Sequence, residues 1–287
     1  MDLDQNLELV TRPTHSTQFY LFNLFADYIV PRGGRIWTND LLYLLNLLGV
    51  GERAARSTLS RMKKRGWLVP QKHGRQSQYS LTERGQAVLE EGDKRIFENP
   101  LTDWDGAWRL VVYSLPEEKR KLRNELRKKL IWFGFGNLAP GTWISPHDRH
   151  PEVRAILTKL GVLEHVMLFT GSTVANLEIV QRCWAISELQ AEYEAFIQRH
   201  QPAYEALLAQ FTDGEPGTLT PEACFVTRFW LTYDFQRFPR KDPNLPVVLL
   251  PEDWAGFKAR RLFMDYRQLL SQGMGRFMDT IVYGSDA

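Results

Sequence analysis

Between Glu52 and Glu83 the chain carries no acidic residue, yet Arg53 to Arg75 holds eight basic ones: Arg53, Arg56, Arg61, Lys63, Lys64, Arg65, Lys72 and Arg75. The whole chain has a net charge of only +2, so a purely cationic block has been gathered into one short span. An unpaired charge taken out of water costs several kcal/mol, so this segment must fold with its charges outward. Alone, a charge run most often marks a solvated helix face. The residues on either side of this one say more.

Thr17 to Val30 reads as a helix, with Phe22, Phe25, Ala26 and Ile29 at helical spacing, and Pro31-Arg32-Gly33-Gly34 ends it. Ile36-Trp37 suits a short strand. Thr38 is the expected N-cap of a second helix, Asn39 to Leu48. Gly49-Val50-Gly51 is a tight turn, and a third helix runs from Glu52 to Arg65 until Gly66 stops it. At 100° per residue, Ala55, Leu59 and Met62 share one stripe of that third helix. Arg53, Ser57, Ser60, Arg61 and Lys64 fall opposite, with Arg56 on the flank. An outward face of Arg, Ser and Lys without a carboxylate is what a helix needs to lie in a phosphate-lined major groove.

Trp67 to Pro70 and Ser77 to Leu81 then flank the segment Gln71 to Gln76, two strands around a glycine-centred basic tip. Lys72, His73 and Arg75 are expected at that tip, against backbone phosphates or a minor groove. Thr82 caps a further helix through about Phe97. Helix, helix, basic helix, hairpin and helix is the order of a winged helix-turn-helix.

Several of these segments resemble the PaaX family of repressors: Gly34-Arg35-Ile36-Trp37, Gly51-Glu52-Arg53-Ala54-Ala55-Arg56, Arg65-Gly66-Trp67-Leu68 and Gly74 to Thr82. Phe133 to Trp143, Asp242 to Pro246 and Leu250 to Gly256 extend the resemblance over nearly the whole chain. The resemblance implies a repressor of aromatic-acid catabolic genes, typically those for phenylacetate, and the sparse cysteine suits a cytoplasmic location. It further implies a homodimer on operator DNA, released by an aryl-CoA or other acyl-CoA effector such as phenylacetyl-CoA. The DNA-binding role falls on Arg53, Arg56, Ser57, Ser60, Arg61 and Lys64, which the helical wheel selects independently. No CoA motif carries over.

Beyond residue 98 the pattern changes. Asn99 to Gly106 reads as a linker and Ala107 to Leu115 as a strand. Glu117 to Trp132 reads as a helix, a strand surrounds Thr142-Trp143-Ile144, Pro151 to Leu160 is helical and His165 to Thr170 is a strand. This order suggests a ferredoxin-like α+β domain. The segment Val111 to Pro116 also resembles small ferredoxin-like CRISPR-associated nucleases, which keeps a metal-dependent nuclease or nucleic-acid-processing protein as the alternative. Those proteins end the first strand on a metal-binding Asp, where this chain has Ser114, a poor sole anchor for a hard cation. The basic helix that follows, Lys119 to Lys129, reads as a solvated or dimer-facing surface. His147-Asp148-Arg149-His150 lacks metal-ligand spacing.

Ala185 to Phe211 is expected to be helical with a break near Pro202, followed by a loop at Asp213 to Gly217. Phe225 to Phe238 and Ala255 to Leu270 are further helices. The expected organisation is therefore α+β, in three segments. Residues 1–98 form a winged helix-turn-helix, 99–182 a ferredoxin-like domain, and 183–287 a mainly helical domain for dimerisation or effector binding. A CoA thioester needs basic groups and an apolar slot, for which Trp132, Phe135, Trp143, Arg182 and Trp184 are the candidates.

Composition excludes some classes. At 44% hydrophobic and 24% charged, 287 residues can bury a core without staples. The two cysteines, Cys183 and Cys224, form no C-x-x-C pair, and Cys183 reads as a core thiol. Met1 to Val10, with Asp2, Asp4 and Glu8, does not read as a signal peptide, and Phe19 to Val30 is too short to span a bilayer. No P-loop or G-x-S-x-G is present. No cofactor, metal site, membrane partner or catalytic residue is expected.

Overall fold

The structure is a computed structural model and describes residues 17–97, 103–210 and 219–284. The expected loop at 213–217 and the first half of the 99–106 linker lie outside the described residues, as do residues 1–16.

Helix α1 (Thr17–Leu24) opens the described chain. Sequence periodicity predicts one regular helix to Val30; instead a π-helical turn, Phe25–Ile29, and a 3-10 turn, Val30–Arg32, continue it. The buried set explains the change. Tyr20, Leu24 and Tyr28, and likewise Leu21, Phe25 and Ile29, recur every four residues and are all buried. A regular helix would swing such a set by about 40° per step, and the wider π-turn keeps both rows on one face.

Strand β1 (Arg35–Trp37) leads into α2 (Thr38–Leu47). The N-cap is Trp37 rather than the expected Thr38, whose hydroxyl donates 2.8 Å to the Ser77 carbonyl and ties α2 to a distant strand. Gly49, at φ +79°, ends α2. Its N–H donates to Asn46 and that of Val50 to Leu45, the paired bonds of a left-handed helix end. Helix α3 (Glu52–Lys64) follows and ends in the same way at Gly66, through bonds from Gly66 to Lys63 and from Trp67 to Met62.

Strands β2 (Leu68–His73) and β3 (Gln76–Leu81) form a hairpin, and β1 adds to β3 in the order β1-β3-β2, all antiparallel. Thr82 caps α4 (Glu83–Phe97) as expected. Its hydroxyl accepts from the Gly85 N–H at 3.1 Å and donates 2.6 Å to the Gly66 carbonyl.

A second sheet begins at β4 (Trp108–Tyr113), followed by α5 (Arg120–Trp132). Where the sequence reading has one strand around Thr142, the structure has two, β5 (Gly136–Ala139) and β6 (Thr142–Ser145), joined through Gly141 at φ +71°. The first was missed because Gly-Asn-Leu-Ala before Pro-Gly carries no β-branched residue. Helix α6 (His150–Leu160) and strand β7 (Val166–Gly171) complete it. The order is β5-β6-β4-β7, with every pair antiparallel. Leu126 and Leu130 of α5 and Val153 and Leu157 of α6 pack with Val111, Phe135 and Trp143 into one core.

The remainder is helical: α7 (Asn176–Cys183), α8 (Ile186–Leu208), α9 (Pro221–Phe235), α10 (Phe238–Lys241), α11 (Ala255–Leu269) and α12 (Ser271–Gly284). The break expected at Pro202 does not occur, and α8 runs through it. Buried Tyr193 and Phe196 before the proline and Leu207 after it hold one axis, while the proline leaves one backbone bond unmade. Three helices, α7, α10 and α12, were not foreseen.

These elements pack as two compact units. One takes in residues 1–93, 218–229 and 270–287; the other takes in 94–217 and 230–269. In the first unit the start of α9 and all of α12 pack with the N-terminal elements. Phe225 meets Tyr28 at 5.0 Å between ring centres and Phe277 at 5.2 Å. Arg32 pairs with Asp279 at 2.7 Å, and Tyr43 donates to Glu222 at 3.0 Å. In the second unit, Tyr193 stacks on Phe238 and Phe235 on Phe263, each at 4.0 Å.

Candidate nucleic-acid interface

Helix α3 is anchored by a narrow stripe. Ala55, Leu59 and Met62 are buried as the wheel requires, and Thr58, which the wheel left unplaced, joins them. Its hydroxyl donates 2.9 Å to the Ala54 carbonyl, so burial leaves it satisfied. The opposite side is open: Arg53, Arg56, Ser57, Ser60, Arg61 and Lys64 are all exposed. Within the unit that holds them, none is covered by its own fold.

Their restraints are light. Arg56 pairs with Glu52 at 2.7 Å, one helical turn away, with both side chains more than half exposed. Exposed i,i+4 pairs are worth about 0.3–0.5 kcal/mol, so Arg56 exchanges this partner readily for a phosphate. Arg61 donates 2.9 Å to the Thr58 hydroxyl, which steers the guanidinium without neutralising it. Among the described residues, Arg53 and Lys64 enter no ion pair. Arg65 belongs to the same cationic run but is committed elsewhere: it donates 2.9 Å to Gln18 and lies 5.0 Å over the Trp67 ring.

In the hairpin the strands run further than the sequence predicts. Lys72 pairs with Ser77 and His73 with Gln76 inside the ladder, leaving Gly74-Arg75 as a two-residue turn with Gly74 at φ +60°. Lys72 and His73 are therefore strand residues rather than tip residues. Being consecutive, they face opposite sides of the sheet. His73 meets the Trp37 ring edge-on at 5.4 Å. Arg75 alone stands at the turn, and all three are exposed. Arg35, exposed on β1 opposite Ser80, adds a cation to this sheet that the sequence reading did not single out.

The five residues considered for an acyl-CoA slot are distributed differently. Phe135 and Trp143 lie together in the buried core under α5 and α6, the Trp143 indole donating 3.3 Å to the Tyr113 hydroxyl. Trp184 stands on the other face of the sheet, where a β-carbon on Gly136 would meet its ring at 2.7 Å; it stacks on Trp108 at 6.1 Å. Arg182 is exposed on α7 and Trp132 is half-buried at the end of α5. Cys183 is half-buried, and burial pushes its thiol up to about 11.

Ser114, the position the nuclease alternative needs, is exposed just past β4. Its N–H donates 3.2 Å to the His165 carbonyl, and the Lys119 ammonium stands 2.8 Å from the His165 ring. The Lys119 ammonium also lies 3.8 Å from the Glu164 carboxylate, where it competes with any metal cation for that oxygen. In the His147–His150 segment, Arg109 rather than a metal organises the charges: Asp105 binds it at 2.5 Å and 2.7 Å, and Asp148 lies at 4.0 Å. The Arg109 guanidinium holds the Asp105 carboxyl at about 2. Among the described residues, no group of three or more His, Cys, Asp and Glu is placed to hold a metal ion. Among the same residues, no helix is long and apolar enough to cross a membrane.

Comparison with known proteins places this architecture. Residues 16–85 match the model of the PaaX-like protein family, residues 101–180 that of the PaaX protein central Cas2-like domain, and residues 184–280 that of the PaaX-like protein C-terminal domain. The chain is 37% identical over 252 residues to the transcriptional repressor PaaX of Escherichia coli (strain K12), covering 86% of this chain and 78% of that one. The chain belongs to the PaaX family. Its fold is similar to that of uncharacterized protein Rv0674 from Mycobacterium tuberculosis, with a TM-score of 0.57 at 22% identity, over 91% of this chain and 97% of that one.

Proposed function

We propose that this chain is a DNA-binding transcriptional repressor, not an enzyme, whose N-terminal winged helix-turn-helix sets α3 in the major groove of an operator. One observation carries the reading. The face of α3 bearing Arg53, Ser57, Ser60, Arg61 and Lys64 is exposed and free of carboxylates, while its opposite face anchors the helix. Arginine can bond a guanine edge through two parallel hydrogen bonds, and the serines are small enough to let the helix approach closely. Arg75 at the hairpin turn, with Lys72 and His73 behind it, serves as a wing against the backbone. Family membership, and a relative named as a transcriptional repressor, support the same role.

The second sheet, in which the second, third, first and fourth strands follow one another, supports a ferredoxin-like central domain. The protein acts as a homodimer in the cytoplasm. It sets two copies of α3 about one helical turn apart (~34–36 Å) on an inverted repeat. The regulated genes are those of aromatic-acid catabolism of the phenylacetate kind, and an aryl-CoA or other acyl-CoA thioester releases the repressor. The effector shifts the DNA-bound population only as far as it favours the released state.

The test is operator capture. Sheared genomic DNA selected on the purified protein should yield fragments sharing an inverted repeat. A panel of CoA thioesters should contain at least one that raises the melting temperature and frees those fragments. Selection that enriches no common sequence contradicts the repressor reading, and a panel without effect contradicts the effector.

A further inference from the structure

Helix α5 in the second unit presents another cationic face that packing does not require. Its buried stripe is Leu126 and Leu130, with Leu122 half-buried beside them. On the opposite side stand Arg120, Lys121, Asn124, Arg127 and Lys128, all exposed. At 100° per residue these five fall within about a third of the helix circumference, and no acid interrupts them.

The charges on that face are available. Arg120 has a 3.8 Å contact with Glu117, but Glu117 bonds more closely, at 2.8 Å, to Arg123 on the flank. Among the described residues, Lys121, Arg127 and Lys128 enter no ion pair. Glu125 lies one turn from both Lys121 and Lys129 and joins neither. A solvated helix gains a few tenths of a kcal/mol from each opposite-charge pair at this spacing and loses as much from like charges. This helix forgoes the gain and accepts the repulsion. A row of like charges with a neutral amide donor among them is complementary to a repeating polyanion.

We propose that this face of α5 binds the phosphate backbone of duplex DNA, without base preference, as a second contact besides α3. The proposal rests on the DNA-binding reading of α3. It assigns α5 to affinity and leaves sequence choice to α3, because phosphates carry no sequence information.

The test uses the full chain and fluorescence anisotropy with a labelled random-sequence duplex over a series of KCl concentrations. Wild type is compared with K121Q/R127Q/K128Q and with R53Q/R61Q, their folding checked by circular dichroism. All five positions are exposed, so each variant should fold. Each phosphate contact contributes ~0.9 to the slope of log affinity against log salt. The α5 variant should therefore lose ~2–3 from that slope and weaken by the same factor on random and on captured operator DNA. An α5 variant with wild-type slope, beside an R53Q/R61Q protein that loses its operator preference, overturns the α5 assignment and leaves the α3 reading standing. If R53Q/R61Q keeps full operator affinity, the α3 reading fails instead, and this proposal with it. If the α5 variant keeps its slope but is no longer stabilised by coenzyme A, the face serves a small phosphorylated ligand and the proposal is wrong.

Discussion

Gly136 and Gly85 hold places that no larger residue can take. A β-carbon on Gly136 would stand 2.6 Å from the Cys183 side chain and 2.7 Å from the Trp184 ring, and one on Gly85 would strike the Trp67 carbonyl. Overpacking of this kind costs typically 1–3 kcal/mol. Gly136→Ala should lower the urea midpoint of the whole chain, while Ser57→Ala, on the open face of α3, should leave it in place. An unchanged midpoint for Gly136→Ala would mean that Trp184 does not lie over β5. His147 carries a pH dependence. Burial depresses its pKa below the ordinary 6.5, outweighing the backbone carbonyls around it, including Pro243 at 3.3 Å. The unfolded chain therefore binds the proton more readily than the folded one. The contribution to stability is complete above about pH 6.5 and is lost as pH falls below it. Melting temperature should drop between pH 7.5 and 5.5, and His147→Asn should flatten that drop. Equal drops in both proteins would contradict the assignment.

At the scale of elements, legibility followed locality. The helix, glycine turn, helix and hairpin of residues 35–82 could be read because each boundary is written in neighbouring residues: Gly49 and Gly66 at left-handed helix ends, Gly74 in a two-residue turn, Thr82 as a cap. The outward residues of α3 were legible for the same reason, since one period fixes them once Ala55, Leu59 and Met62 point inward. What failed depended on partners distant in sequence. Thr38 looks like a cap but serves Ser77, thirty-nine residues on. Strand β5 exists only through its pairing with β6, and Pro202 sits inside α8 because packing on both sides outweighs one missing bond. The tip of the hairpin was drawn too wide. Pairing of Lys72 and His73 in the ladder carries more weight than their charge, which the sequence presents as one basic loop. Hence Arg75→Ala should weaken DNA binding more than His73→Ala, whose ring rests on Trp37. The reverse order, measured on captured operator, would put the wing contact on the strand face instead.

On the scale of the whole molecule, the first unit is discontinuous in sequence. Residues 218–229 and 270–287 pack with 1–93, although no local pattern announces it: Phe225 and Phe277 read as generic core aromatics until Tyr28 and Tyr43 are seen beside them. The unit that carries α3 is thus completed by the far end of the chain. Ending the protein after Leu270 removes α12, with the Arg32–Asp279 pair and the Phe277 contacts. Exposing aromatic surface of that size costs several kcal/mol. The truncated chain should melt lower, and amide exchange should quicken in α1 and α2 while the sheet of the second unit keeps its protection. Uniform protection in the truncated protein would show that α12 is not part of the unit that carries α3.

The most direct measurement is the affinity of the captured operator, and of a random duplex, for wild type and for Arg53→Ala and Arg61→Ala at one fixed salt concentration. Each substitution should cost ~1–3 kcal/mol on the operator, the worth of one bond set to a base edge, and much less on the random duplex, with circular dichroism unchanged. Folded variants that bind the operator as tightly as wild type would contradict the placing of α3 in the groove.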